Sequence, residues 1–292
     1  MQDLPHKTRF SDEPGFRPFD KRRLSYASTF PNPWKAAAIR VLEWMTGKIT
    51  LLRLIHRFEH SEKEVGQAFW SKALRFMGIV VETPVEQFAH IPPTGAVVVI
   101  SNHPHGLVDG MVLGELIGRV RTDYKILTRS LISGISEVSE FLIPVPFPHE
   151  ENMLEKGLEM RREAMEILAR GGVVVLFPAG AVATTTGWWG EAVEREWHPF
   201  TARMICRSKA TVVPIFFPGH NSPAYQVANH LSPVIRQGLL IHEIVYALNK
   251  PQKPVIGAPI PWDELAPHTS NQTEFVAWLR ARTLALKEHP HA

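Results

Sequence analysis

Short β-branched runs alternate with stretches of helical period through most of the chain. Residues 96–101, 124–128, 173–177, 212–217 and 255–257 read as strands. Residues 110–118, 152–170 and 200–209 read as helices, with a last helix near 272–287. That alternation predicts an α/β domain with a mixed, largely parallel central sheet flanked by helices. Ahead of it, residues 34–58 are apolar but studded with Lys35, Arg40, Lys48, Arg53 and Arg57, the pattern of a basic amphipathic segment at a membrane surface. A second helix, 61–77, is expected to start at a Ser61 cap, with Glu64 at capping-box spacing, and to stop before Gly78. The two helices predict an N-terminal amphipathic hairpin facing a membrane. The competing expectation is that Ile39, Leu42, Leu51, Leu54 and Ile55 pack onto the main domain. The chain thus divides into an extended segment 1–33, a hairpin 34–78 and an α/β domain 79–292.

Composition narrows the class. With 292 residues, 45% of them hydrophobic and 21% charged, the chain builds a real core and is not a disordered one. The stretch 88–108 lacks Asp, Glu, Lys and Arg, but Pro92, Pro93, Gly95, Pro104 and Gly106 break it, so it is not a transmembrane helix. A net charge of +3 and a pI near 9.0 favour anionic lipid headgroups or an acidic carrier protein. Nucleic acid would answer to the same sign. There is, however, no zinc-finger spacing, no RNP-like aromatic run and no basic block longer than Lys21, Arg22 and Arg23, so no nucleic-acid partner is expected. A single cysteine, Cys206, forms no intramolecular disulfide, and residues 1–23 contain no apolar signal core. Both point to the cytoplasm.

In open α/β sheets, sites gather where strands end, here at 101–110, 177–187 and 218–223. The first of these reads Asn102-His103-Pro104-His105-Gly106-Leu107-Val108-Asp109-Gly110, which puts an imidazole and a carboxylate on one turn. Such a pair suits deprotonation of a hydroxyl as it attacks a carbonyl, with His103 as base and Asp109 fixing its tautomer. The plainer reading makes Asp109 the N-cap of the next helix and His103 a strand-end histidine bonded to backbone. His105 competes for Asp109 or joins His103 at a metal. Because Leu107 and Val108 stand where a HxHxDH metal site needs Asp and His, no metal is expected. No G-x-S-x-G, GxxxxGK[ST] or GxGxxG occurs.

These residues resemble the lysophospholipid (glycerolipid) acyltransferase family, whose hallmark is NHxxxxD. This chain carries five residues between His103 and Asp109, with Pro after the His and Gly after the Asp. That spelling resembles the branch of hemolysin-like proteins and aminolipid O-acyltransferases. Phe177-Pro178-Ala179-Gly180 matches the F-P-x-G element. Trp197, Phe200, the run 213–217, the run 219–222 and the run 256–260 resemble later blocks. The resemblance implies catalytic His103 and Asp109, with Asn102, His105, Gly106 and Gly110 shaping the loop, and an oxyanion held by backbone near 178–181. It further implies an acyl carrier protein or acyl-CoA donor as co-substrate, no resident cofactor, and a lyso-lipid acceptor at the inner face of the cytoplasmic membrane. Where enzymes acting on glycerol phosphates continue as Glu-Gly-Thr-Arg, this chain reads Ala179-Gly180-Ala181-Val182-Ala183-Thr184. Losing that arginine favours a lyso-aminolipid over lysophosphatidic acid, with Arg129, Lys125 or Arg203 left as candidate anion partners. A lipid-binding protein without catalysis is the non-enzyme alternative. Trp188, Trp189 and Trp197 either line a lipid groove or enter the core.

Overall fold

The computed structural model describes residues 24–27, 30–61, 64–128, 135–146, 152–188 and 190–288. Arg129, Trp189 and the segment 1–23 lie outside them.

The element order begins with α1 (Pro33–Glu43), a bent turn Trp44–Lys48, α2 (Ile49–Glu59) and α3 (Ala68–Phe76). Then come β1 (Val97–Ser101), α4 (Leu107–Gly118), β2 (Tyr124–Thr128), β3 (Leu142–Pro144), α5 (Met153–Ala169) and β4 (Val173–Leu176). A small hairpin, β5 (Thr184–Thr185) and β6 (Ala192–Val193), precedes α6 (Pro199–Ser208) and β7 (Thr211–Phe216). Helices α7 (Pro223–Leu231), α8 (Pro233–Gly238) and α9 (Leu240–Tyr246) follow, then β8 (Val255–Ile256), α10 (Trp262–Leu265) and α11 (Gln272–Ala285).

The main sheet has the order β3-β2-β4-β1-β7-β8, parallel throughout except for β8. β1 lies at its centre, every residue buried, and its side chains alternate between two cores. Val97 and Val99 join α2, α3 and α4 on one face, and Val98 and Ile100 join α5, α6 and α11 on the other. A strand covered on both sides has no polar face to show, which is why β1, β4 and β7 read as continuous apolar runs.

The expected strands are all present, but three-residue β3 and the β5–β6 hairpin were not foreseen. Neither were α7 to α9, whose period is cut short by Pro223, Pro233 and Gly238. The N-terminal expectation needs correction. The long helix 34–58 bends at Gly47, whose φ/ψ of 175°/−18° leave the helical region. A Cβ there would stand 2.9 Å from Val245 Cγ2, so the bend seats the chain against α9. Ser61 is no N-cap: its Oγ donates to Phe58 O at 2.6 Å, closing α2, and α3 starts only at Ala68. Ile39 is buried with Ala27 and Ala36, Leu51 is buried with Leu54 and Ile55 packed against its cluster, and Leu42 packs on Tyr225, Ala228 and Leu239, so those five face the domain. Of the segment expected to be extended, Leu24 and Ala27 are buried, and the Ser25 hydroxyl and Tyr26 N–H bond the carboxylate of Glu43 on α1.

Candidate active site

β1 delivers its chain end to the middle of the sheet's C-terminal edge, between β4 and β7. Asn102 locks it there. Its amide donates to Phe217 O at 2.8 Å and accepts from Phe217 N at 2.7 Å, a two-way bond to the end of β7. Gly106 then turns the chain at φ 69°, ψ −125°, a conformation costly for any residue with a Cβ, and α4 starts at Leu107 instead of the expected Gly110. Gly106 is the cap position, so Asp109 is not an N-cap. It sits in the first turn and reaches back to accept the N–H of His105, the residue before the cap, at 2.8 Å.

Asp109 is fully buried and faces two imidazoles. His103 Nδ1 lies 3.0 Å from its Oδ2 and His105 Nδ1 3.0 Å from its Oδ1. Burial alone would push the Asp109 carboxyl up; the His105 charge and the hydrogen bonds of both rings outweigh it and hold the carboxyl below its ordinary value. An ionised carboxylate can only accept, so each ring turns a protonated Nδ1 toward it, and a neutral ring held in that way carries its lone pair on Nε2. The His103 ring stacks on Phe177 with centroids 3.8 Å apart, and both line a groove of about 900 Å³. The His105 ring lies against the turn after β7: a Cβ on Gly219 would stand 3.0 Å from its Nε2.

The loop after β4 forms the facing wall. Gly180, at φ 61°, donates its N–H to Phe177 O at 3.0 Å; Ala183 N–H donates to His103 O at 2.9 Å, and His198 N–H to Pro178 O at 3.0 Å. Gly106, Gly110, Phe177, Pro178 and Gly180 all line the groove, whereas Ala179 is buried behind it and Asn102 braces from below. On the β4 side the groove runs beneath α5, among Leu127, Val145, Leu154, Leu158, Leu176 and Phe200. On the β7 side it reaches Val182, Gln237, Leu240 and Glu243.

Several expected residues lie elsewhere. Lys125 pairs with Glu163 at 3.4 Å, and neither it nor Arg203 lines the groove. Trp197 is in the core and Trp188 packs over His230, so neither forms the lipid groove; they serve the hairpin and its neighbours. Two side chains were missed. Arg161 is the one Lys or Arg among the described groove-lining residues, its guanidinium 5.7 Å from the Phe200 ring centroid. Glu194, buried, accepts the His103 backbone N–H at 3.2 Å. Arg161 recurs with Leu154, Gly157 and Leu158 on one helical face, a signal the sequence did offer; Glu194 sits in an acid-rich stretch that gives none. Among the described residues, no three His, Cys, Asp or Glu side chains form a group able to hold a metal ion.

Together these features define an α/β protein with an imidazole–carboxylate pair at a strand end, lining a largely apolar groove of about 900 Å³. The acyltransferase family model matches residues 50–288, most of the chain. The chain belongs to that family and is an acyltransferase. It is 26% identical over 214 residues to the lyso-glycine lipid O-acyltransferase of Phocaeicola vulgatus, covering 69% of this chain and 72% of that protein. It is 25% identical over 233 residues to the lyso-glycine lipid O-acyltransferase of Bacteroides thetaiotaomicron, covering 73% and 79%. Among solved structures, the 1-acyl-sn-glycerophosphate acyltransferase PlsC of Thermotoga maritima aligns with a TM-score of 0.49 and 14% identity, over 90% of this chain and 85% of that one.

Proposed function

We propose that the protein transfers a fatty acyl group from an acyl thioester, on carrier protein or coenzyme A, to the free hydroxyl of a lyso-aminolipid. The observation that carries this is the His103–Asp109 pair with its open Nε2, set in an apolar groove. His103 Nε2 takes the acceptor proton as the hydroxyl oxygen attacks the thioester carbon. The tetrahedral oxyanion collapses, the C–S bond breaks, and the imidazolium returns the proton to the leaving thiolate, giving ester and thiol. Within 178–181, Pro178 has no N–H and that of Gly180 is spent on Phe177 O. Ala179 is buried behind the groove, so the backbone N–H of Ala181, between the groove-lining Gly180 and Val182, is the proposed oxyanion partner.

The decisive assay presents purified protein with an acyl thioester and a mixture of lyso-aminolipids and lysophosphatidic acid, and identifies products by mass spectrometry. Diacylated aminolipid is the expected product; no acylated product from any lyso-lipid would overturn the proposal. Arg161 favours a second reading, in which the acceptor is a lysophosphatidic acid held by its phosphate. In either case Arg161→Ala is expected to raise KM for an acceptor with an acidic headgroup about tenfold or more, with kcat nearly unchanged, since a charged hydrogen bond contributes about 1.5–3 kcal/mol. A neutral analogue of the same acceptor should be indifferent to the substitution.

A lipid substrate calls for a face that meets a membrane, and the proposed location is peripheral, on the inner face of the cytoplasmic membrane. Among the described residues no helix is long and apolar enough to cross one. The outer face of α1 and the following bend, however, is apolar and uncovered: Trp34 is 84% and Met45 79% exposed, with Val41, Trp44 and Ile49 also exposed. Lys35, Arg40 and Arg53 lie exposed along the same segment. Such a surface suits the boundary of an anionic bilayer. Replacing Trp34 and Trp44 together by Ser is expected to lower sedimentation with anionic vesicles several-fold, while turnover of a water-soluble short-chain acceptor stays at the wild-type rate.

A further inference from the structure

The His103 turn is held less by its own sequence than by groups that arrive from far along the chain. Its carbonyl accepts from Ala183, and its N–H donates to Glu194, just after β6. Glu194 is a built feature. Its residue is only 4% exposed, its Oε2 takes the His103 N–H at 3.2 Å, and its Oε1 takes the Trp197 indole N–H at 3.2 Å. From α11, Arg280 holds the hairpin in turn, donating to the main-chain carbonyl of Glu194 and, at 3.1 Å, to that of Arg195. Two donors separated in this way need two acceptor oxygens on one short side chain, which a carboxylate supplies and an amide does not. Nothing in the hairpin's own fold requires a buried acid, and a buried carboxylate is costly unless its contacts serve something.

We propose that Glu194 is the positioning residue for His103: it fixes the height of the imidazole in the groove through the backbone N–H, and Arg280 holds Glu194 in place for that task. This rests on His103 being the base of the transfer proposed above. Asp109 sets the tautomer and the rotation of the ring; Glu194 sets where its Cα stands. A displacement of about 1 Å at a reacting group costs up to about a hundredfold in rate, so the role is a large one although Glu194 touches no substrate. Burial pushes the Glu194 carboxyl above its ordinary range, against the His103 N–H and charge, the Trp197 N–H and the Arg280 charge that favour its ionised form.

The test combines kinetics with a signature that needs no substrate. In Glu194→Ala, kcat is expected to fall about 30- to 100-fold with KM within about threefold, and Glu194→Gln, which keeps one acceptor oxygen, to lie between that and wild type. In ¹H–¹⁵N spectra of wild type, the His103 backbone amide should carry a pH-dependent shift from Glu194 on top of those from its own ring, Asp109 and His105, and Glu194→Gln should lack that one component. A folded Glu194→Ala with kcat within about threefold of wild type would overturn the proposal, as would a His103 amide that titrates alike in wild type and Glu194→Gln. Should Glu194→Ala not fold, Glu194→Gln decides by both readouts. Wild type without turnover on any lyso-lipid would sink the proposed function, yet the amide titration would still decide the contact.

Discussion

Replacing Asp109 by Asn is expected to lower kcat about 10³- to 10⁴-fold while leaving KM close to wild type. Three donors converge on the carboxylate: Nδ1–H of His103, Nδ1–H of His105 and the backbone N–H of His105. An amide in its place offers one oxygen and one NH₂, so at least one imidazole meets a donor and turns over to the tautomer with its proton on Nε2. If that ring is His103, the proton occupies the atom that must receive one. Steady-state kinetics on a variant shown to be folded by circular dichroism checks this, and a rate within about tenfold of wild type would remove Asp109 from the mechanism. The same site carries a pH dependence. The folded-state pKa of Asp109 is depressed, so its contribution to stability is fully present above the ordinary carboxylate range and is lost as pH falls through the lower folded value. The stability gap between wild type and Asp109→Asn should therefore narrow as pH falls below about 4, a trend opposite to that of a group with a raised pKa.

What the sequence made legible here is what is local. The strand, the Pro- and Gly-shaped turn and the start of α4 follow one another within a dozen residues, and the His–Asp pair lies on that turn whatever the rest of the chain does. The braces are of another kind. Asn102 meets Phe217 across 115 positions, and His103 meets Glu194 across 91. No period or motif encodes such a meeting, because it depends on where the sheet order brings β4, β1 and β7 together. The N-terminal helices show a related limit. Periodicity in 34–58 identifies apolar stripes but not what covers them. Here there are two: one, with Ile39 and Leu51, closes the core, and the other, with Trp34 and Met45, remains outside. The β5–β6 hairpin escaped because its strands are two residues each, too short to show alternation, yet it is followed directly by the acid that accepts the His103 N–H.

The groove wall also has consequences for the acceptor. The loop after β4 packs its small residues against the His103 turn, with Ala183 bonded to the His103 carbonyl, and residues 177–183 carry no cationic side chain. The groove's cation among the described residues is instead on α5, where the Arg161 guanidinium lies 5.7 Å from the Phe200 ring centroid. A headgroup held there leaves the acceptor hydroxyl to be placed by the groove itself, so discrimination between acceptors would rest on the distance from headgroup to hydroxyl as well as on charge.

Two imidazoles share one carboxylate, and their unequal surroundings predict unequal roles. Both line the groove, but His103 is stacked on Phe177, while His105 has its Nε2 against the Gly219 turn. His103→Ala should therefore abolish turnover, a loss of at least about 10²- to 10⁴-fold from the missing base, whereas His105→Ala should cost about tenfold or less. Without His105, Asp109 keeps the His103 bond and the backbone N–H but loses the ring that helps hold its charge, so its folded-state pKa rises and the stability it contributes should be lost at higher pH in His105→Ala than in wild type. Comparable losses in both variants would overturn this assignment of unequal roles. The reverse order, with His105→Ala inactive and His103→Ala competent, would move the base to the other side of the carboxylate and the acceptor hydroxyl with it.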